Sequence, residues 1–260
     1  MSEYIYPVTE AIRAQYKAQG FFITPVLFDE AELIDMREAV NAIWAEQITA
    51  SVNENEMRQR LARERPFIAD LHLKHPVCAT FLKHPALLGL ARQMIGPDVD
   101  VAYNQAVLKP PTGEIPNSFA WHQDSFYACR HADDENYRSP EWSEPIMTRA
   151  VQTFQGWVAL TSTTEANGTL HVLPGGHKNG FLKHEELEET RELAADPDTS
   201  REIAVELQPG QMLVFSGMLP HCSGPNRTDE TRMVYQFCYG VPGTRAEAKV
   251  YPVVRQDVVV

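Results

Sequence analysis

The sequence predicts a mainly β protein with flanking α-helices: short strands folded as a β-sandwich or jelly roll, with helices packed on it. Two observations predict this class. Up to about residue 98, apolar residues recur at helical spacing between capping and stop residues. From Val99 onward the pattern changes to short apolar or alternating runs divided by turn-forming residues. The length of 260 residues fits one large domain or two small ones, and sandwiches and barrels often reach it as one.

The helical part comes first. Thr9 to Gln19 reads as a helix, with Thr9 as N-cap, Ile12 and Tyr16 on one face and Gly20 as the stop. Phe21-Phe22-Ile23 reads as a short buried strand. Asp29 to about Gln47 is a stronger helix. Asp29 and Glu32 have capping-box spacing, and Leu33, Met36, Val40 and Ile43 form an apolar stripe that packs on the core. Residues 51–65 are polar and charged, in keeping with a helix, an entrance segment or both. Pro85 to Ile95 is a further helix, with Pro85 in its first turn and Gly96 at its end.

The strands come after. Val99, Val101, Tyr103, Gln105 and Val107 alternate with Asp100, Ala102, Asn104 and Ala106, which leaves Gln105 as a polar residue on the more apolar face. Lys109-Pro110-Pro111 ends this strand. Phe119–Tyr127, Phe154–Leu160, Thr169–Leu173, Ile203–Leu207, Met212–Phe215 and Arg232–Tyr239 supply further strand-like stretches. Asn167-Gly168, Pro174-Gly175-Gly176, Pro209-Gly210 and Gly224-Pro225-Asn226 mark turns between them. Ala128–Ala150 is polar and reads as a lid-like insert. Phe181–Ser200 is acidic and reads as a partly helical surface excursion.

Composition narrows the function. A net charge of −12 argues against a basic nucleic-acid-binding surface and tilts slightly toward neutral or cationic substrates. None of the four cysteines, Cys78, Cys129, Cys222 and Cys238, has C-x-x-C spacing, so a zinc ribbon or thioredoxin-type motif is not indicated. The first residues carry no apolar h-region and no apolar run reaches membrane length. The expectation is a cytoplasmic protein with reduced thiols and no membrane partner; a homo-oligomer is compatible with it.

The chemistry centres on Trp121-His122-Gln123-Asp124-Ser125-Phe126-Tyr127. On a strand, His122 and Asp124 would point to one face. One distant histidine would complete a 2-His-1-carboxylate facial triad, the donor set of non-haem Fe(II) oxygenases. His221, in Leu219-Pro220-His221-Cys222-Ser223-Gly224-Pro225-Asn226, is the candidate. An H-x-D pair alone is a weak signal, and the residues after His221 strengthen it. Ser223 to Asp229 is turn-forming, so the chain can return antiparallel at Arg232, whose strand face also carries Val234 and Gln236. A co-substrate such as 2-oxoglutarate needs its buried far carboxylate paired. Arg232 offers that pair and Ser223 a second hydrogen bond. The alternative is a surface ion pair of Arg232 with Asp229 or Glu230.

These residues resemble the phytanoyl-CoA dioxygenase (PhyH) family of Fe(II)/2-oxoglutarate oxygenases. Trp121-His122-Gln123-Asp124 resembles the family's WHQD. Tyr103-Asn104-Gln105 with Leu108-Lys109-Pro110-Pro111 resembles its strand and K-x-P turn. Gly156-Trp157-Val158-Ala159-Leu160 resembles a core strand. Asn167-Gly168-Thr169-Leu170 through Pro174-Gly175-Gly176-His177-Lys178 resembles its N-G-x-L…P-G-S-H-K signature. The resemblance runs from Gly20-Phe21-Phe22 to the last strand. It implies a double-stranded β-helix (cupin-like jelly-roll) core and a single domain over residues 1–260. Residues 1–98 would be mostly helical, and 99–260 the core with the insert at 128–150.

The resemblance also implies Fe(II) on His122, Asp124 and His221, with O2 as oxidant. It places 2-oxoglutarate against Gln105, Trp157, Ser223 and Arg232. Related halogenases have a small residue in place of the carboxylate, so Asp124 favours hydroxylation or another two-electron oxidation over halogenation. The length, the lack of a targeting signal and the lid-like insert fit a small-molecule substrate, a secondary metabolite or a sugar-containing compound. Oxidative cyclisation, desaturation and epimerisation by the same centre are alternatives. Phe119, Phe126, Tyr127, Arg130, Tyr137 and Trp142 flank the motif and are candidate substrate contacts. His177 reads as structural, and the other histidines as surface or core. Two rival readings are a cupin-type isomerase or lyase and a non-catalytic binding protein. The first leaves Arg232 and Ser223 unexplained, and the second would be expected to lose a ligand or the arginine.

Overall fold

The computed structural model describes residues 5–49, 67–111, 117–124, 130–131, 153–180, 182–187, 190–242, 244–245 and 251–254. Residues 51–65 and most of the 128–150 insert therefore lie outside the described residues. Two antiparallel sheets form the core. The larger runs in the order β1 (Phe21–Ile23), β11 (Met212–Phe215), β6 (Thr153–Ala159), β13 (Arg232–Gly240), β3 (Val99–Lys109) and β15 (Tyr251–Val254), and β2 (Phe67–Ala69) also pairs with β3. The smaller runs β10 (Ile203–Val205), β7 (Leu170–Val172), β12 (His221–Ser223) and β4 (Phe119–His122). Two short pairs complete the strands: β5 (Arg130–His131) with β14 (Thr244–Arg245), and β8 (His184–Leu187) with β9 (Thr190–Leu193). This is the predicted jelly roll with helices on one side.

The period-2 geometry of the strands sorts side chains into two cores. On β11, Met212 and Val214 face one apolar layer, while Leu213 and Phe215 face the other. On β13, Met233, Tyr235 and Phe237 join the first layer and Val234 the second. The first layer packs against Leu33, Met36, Val40 and Ile43 of the helix Glu30–Thr49, all buried as the stripe predicts. The second lies between the sheets, where Trp157, Ala159 and Val234 meet Leu170, Val172 and Val205. Central strands covered on both sides read as apolar throughout, which is why Met212–Phe215 and Arg232–Tyr239 show little alternation.

Local chemistry sets the helix ends. Thr9 caps the helix Glu10–Gln19 by accepting from the Ile12 amide, and Gly20 stops it in the left-handed region at φ 86°. Asp29 and Glu32 form the reciprocal capping box: each side chain accepts from the other's amide at 2.9 Å. The helix Pro85–Ile95 has the predicted bounds, with His84 as its cap.

Several sequence expectations need correction. Phe181–Ser200 is not partly helical: its described part holds the β8–β9 hairpin. Strand β4 stops at His122, so Asp124 lies in the turn beyond it. Strand β3 is covered on both faces, with Asp100 and Asn104 buried. Two short helices, Leu71–Lys74 and Pro76–Leu82, and strand β2 carry no periodicity long enough to read. The strand expected over Ile203–Leu207 ends at Val205, and Leu207 instead makes an isolated bridge with Thr163.

Candidate active site

Pairing of β4 with β12 sets His122 directly opposite His221. Each imidazole is oriented by its own backbone. The Nδ1 of His122 bonds to the Ala120 carbonyl at 2.7 Å, and that of His221 to the Leu219 carbonyl at 2.8 Å. With Nδ1 donating, the lone pair sits on Nε2, the atom a metal would take. Both Nε2 atoms lie 3.6 Å from Oδ1 of Asp124. Among the described residues this is the one group of three such donors within 4.8 Å of one another. None of the other described histidines joins it.

Asp124 reaches this point from a turn that Gln123 pins. The buried Gln123 side chain donates to the carbonyls of Gly180 (3.0 Å) and Met218 (2.6 Å) and accepts from the Leu182 amide (2.9 Å). Its backbone N–H donates to Nε2 of His184 at 3.2 Å. The turn is thus tied to the hairpin segment and to the residues just before His221. The other carboxylate oxygen, Oδ2, accepts from Gln236 Nε2 at 2.9 Å, and the Tyr103 hydroxyl lies 3.4 Å away.

The charges at this centre hold one another. Burial opposes ionisation of Asp124, but His221, His122 and Tyr103 outweigh it, and the carboxyl stays below its usual range. Burial likewise opposes protonation of His221, and the facing Asp124 reverses this, so its pKa lies above the usual value.

The same cleft is lined by Gln105, Trp157, Ser223, Arg232 and Gln236, with Phe67 and Phe119 on its apolar wall. Arg232 is buried, not paired on the surface. Its Nη1 donates to the Gly168 carbonyl at 2.7 Å and its guanidinium lies 5.0 Å from the Trp157 ring centroid. Its Nε is buried with no partner among the described residues. Burial alone lowers its pKa to about 9. Gly168 delivers its carbonyl from φ 77°, where an added Cβ would meet the Gly224 oxygen at 2.5 Å. Lys109 is fully buried and opposite Arg232 in the β3–β13 register. Its Nζ donates to Ser223 Oγ at 2.7 Å and also to the Gly224 carbonyl. Because Ser223 accepts this bond, its own proton remains available to donate. Arg232 is the buried cation that lines the cleft and suits an anionic ligand, while Lys109 acts through Ser223.

The fold thus brings His122, Asp124, His221, Gln105, Trp157, Ser223, Arg232 and Phe119 to one cleft. Phe126, Tyr127, Tyr137 and Trp142 lie outside the described residues. Arg130 is described only as backbone of β5. Sequence reasoning did not assign Gln236, Tyr103, Lys109 and Gln123 to the site. The one available signal was Gln236 on the strand face of Arg232, a polar residue where core is expected.

Fold and donor set together define the class: a 2-oxoglutarate-dependent non-haem iron oxygenase. The residues fit iron and a 2-oxo acid on structural grounds, because Nδ1 locking leaves two nitrogen donors facing one carboxylate oxygen and the Arg232 Nε lacks a partner. The chain belongs to the phytanoyl-CoA dioxygenase (PhyH) family, whose model matches residues 16–234.

A probable phytanoyl-CoA dioxygenase of Caenorhabditis elegans is 26% identical over 248 residues, covering 87% of this chain and 73% of that protein. The chain spans about half the length of several bacterial ectoine dioxygenases it also matches, such as that of Streptomyces avermitilis, 25% identical over 66% of this chain and 52% of that one. Among solved structures, the non-haem monooxygenase ThoJ is 26% identical with a TM-score of 0.70, over 94% of this chain and 84% of that one. EvdO2 of Micromonospora carbonacea, solved with 2-oxoglutarate, is 22% identical with a TM-score of 0.67, over 96% and 97%, and speaks for the fold. No helix among the described residues is long and apolar enough to cross a membrane.

Proposed function

We propose that this protein hydroxylates an unactivated C–H bond of a small molecule, consuming O2 and 2-oxoglutarate and releasing succinate and CO2. The observation that carries the reading is a buried guanidinium with an unpartnered Nε in the same cleft as three converging metal donors. His122, Asp124 and His221 hold Fe(II). Arg232 neutralises the far carboxylate of 2-oxoglutarate, and Ser223, Gln105 and Trp157 line its place. Fe(II) held by this triad would supply O2 activation coupled to oxidative decarboxylation of the 2-oxo acid. The protein's own part is to orient and to exclude water. Trp157 keeps one face of Arg232 dry, and Phe67 and Phe119 wall the cleft.

In this reading residues 1–260 act as one cytoplasmic catalytic unit on a small-molecule substrate, with no nucleic-acid partner. Segment 128–150, with Phe126, Tyr127, Arg130, Tyr137 and Trp142, supplies the substrate side. Cyclisation, desaturation or epimerisation would use the same residues and differ only in product.

The test is anaerobic titration of the metal-free protein with Fe(II) and 2-oxoglutarate, watching for the visible charge-transfer band of a chelated 2-oxo acid. The band is expected in the native protein, weaker in Arg232→Ala and absent in Asp124→Ala. Iron binding without a band in the native protein would overturn the 2-oxoglutarate assignment.

A further inference from the structure

Gln236 is buried on β13, between Asp124 and Gln105. Its amide orientation is dictated by chemistry. An ionised Asp124 can only accept, so the Gln236 NH2 must face it. The Gln236 carbonyl then faces Gln105, whose own NH2 donates to it at 3.0 Å. The result is one polar chain, Gln105 to Gln236 to Asp124. Tyr103 reinforces it. The Tyr103 hydroxyl accepts from Gln155 Nε2 at 3.0 Å and lies 3.3 Å from Gln236 Nε2, which turns its proton toward Asp124.

The two carboxylate oxygens of Asp124 are therefore not equivalent. Oδ1 lies 3.6 Å from both histidine Nε2 atoms, while Oδ2 accepts from Gln236. A carboxylate free to rotate could bring both oxygens to a metal. That would fill one of the positions a bidentate co-substrate and O2 require.

We infer that Gln236 is a positioning residue that restricts Asp124 to ligation through Oδ1, with Gln105 fixing the direction of its amide. The inference rests on the iron reading above and deepens it. It gives Gln105 a second task beside lining the cleft. It also predicts that removing Gln236 changes the metal's coordination, although Gln236 itself touches no metal.

The test uses Gln236→Leu and Gln105→Leu in the full chain, with iron affinity measured anaerobically and without 2-oxoglutarate. The near-infrared ligand-field spectrum of bound Fe(II) and the charge-transfer band after adding 2-oxoglutarate are then recorded. Outer hydrogen-bond partners of metal ligands typically set about 10–100-fold in affinity or activity. Gln236→Leu is expected to weaken iron binding by roughly tenfold or more, to alter the ligand-field spectrum and to weaken the 2-oxoglutarate band. Gln105→Leu should shift all three in the same direction by less. Native-like iron affinity and spectra in a folded Gln236→Leu protein would overturn the inference. Should Gln236→Leu fail to fold, native-like values in Gln105→Leu would do so. A native protein that binds iron yet shows no 2-oxoglutarate band defeats the co-substrate reading alone, because the affinity ratio of variant to native still decides the role of Gln236. A native protein that binds no iron defeats both.

Discussion

His122 and His221 face each other across adjacent strands with ring centroids 4.2 Å apart, and each has its Nδ1 tied to the carbonyl two residues before it. Neither imidazole needs a distant side chain to fix its tautomer. The strand ends fix it, so the geometry depends on how β4 and β12 are held. The same dependence extends outward from the centre to Arg232, Gln123 and Gly168.

Arg232→Met separates binding from stability. Among the described residues the buried guanidinium makes one hydrogen bond and leaves Nε without a partner, so its desolvation is poorly compensated in the ligand-free protein. Chemical denaturation of the ligand-free variant should show a loss of about 1–3 kcal/mol at most, because the buried Gly168 carbonyl loses its donor while a poorly compensated buried charge is removed. Affinity for 2-oxoglutarate should fall at least tenfold, since a charge-assisted hydrogen bond contributes about 1.5–3 kcal/mol. A variant that unfolds yet keeps its co-substrate affinity would contradict this.

Gln123→Ala should be costly for both fold and metal. It strands the Gly180 and Met218 carbonyls and the Leu182 amide at once. The expected loss is about 2–4 kcal/mol, given about 1–3 kcal/mol for each buried group left unsatisfied and some relaxation. Denaturation midpoints measure it. Iron affinity should drop in the same variant, because the turn carrying Asp124 loses its pins.

Gly168→Ala tests the carbonyl that holds Arg232. The left-handed backbone alone costs an alanine about 1 kcal/mol or more, and its Cβ would press on the Gly224 backbone oxygen. Backbone cannot yield as a side-chain tip can, so the loop should shift and carry the Gly168 carbonyl with it. A weaker 2-oxoglutarate affinity with a lowered melting temperature is the expected pair of results.

Acidification should destabilise the metal-free protein below pH 6.5. Burial lowers the pKa of His72, His177 and His184 from that value. Between the folded and unfolded pKa values the unfolded chain binds more protons, so stability rises with pH across that interval and is complete above it. His221 acts with the opposite sign and in a higher window. Its raised pKa contributes stability below 6.5 that is lost as pH climbs through the folded value. Denaturation midpoints from about pH 5 to 6.5 should therefore climb, and His184→Asn should flatten the climb.

Much of the architecture was legible because it is local. The capping box at Asp29 and Glu32, the stop at Gly20 and the strand Met212–Phe215 arise from neighbours in sequence. The H-x-D pair was legible too, although for a reason that only half holds. His122 ends a strand, and Asp124 converges with it through a pinned turn, not through strand alternation. What could not be read was cross-strand register. Lys109 reads as the end of a strand, yet pairing with β13 sets it opposite Arg232 and buries it. Gln236 meets Asp124 across 112 residues of sequence, a contact that only the tertiary fold makes. In 181–200, runs of glutamate favour a helix locally, and the hairpin prevails through contacts the sequence does not display.

The larger sheet pairs strands far apart in the chain: Phe21 pairs with Phe215, and Lys109 with Arg232. Its interior strand β13, which joins β6 to β3, is the last interior strand to be made. During synthesis at about 5–20 residues per second, β3 and β6 leave the ribosome with apolar faces and unpaired edges and wait seconds for the strand between them. Nascent chains arrested before Arg232 should therefore bind holdase chaperones strongly, and those arrested well after Gly240 should release them.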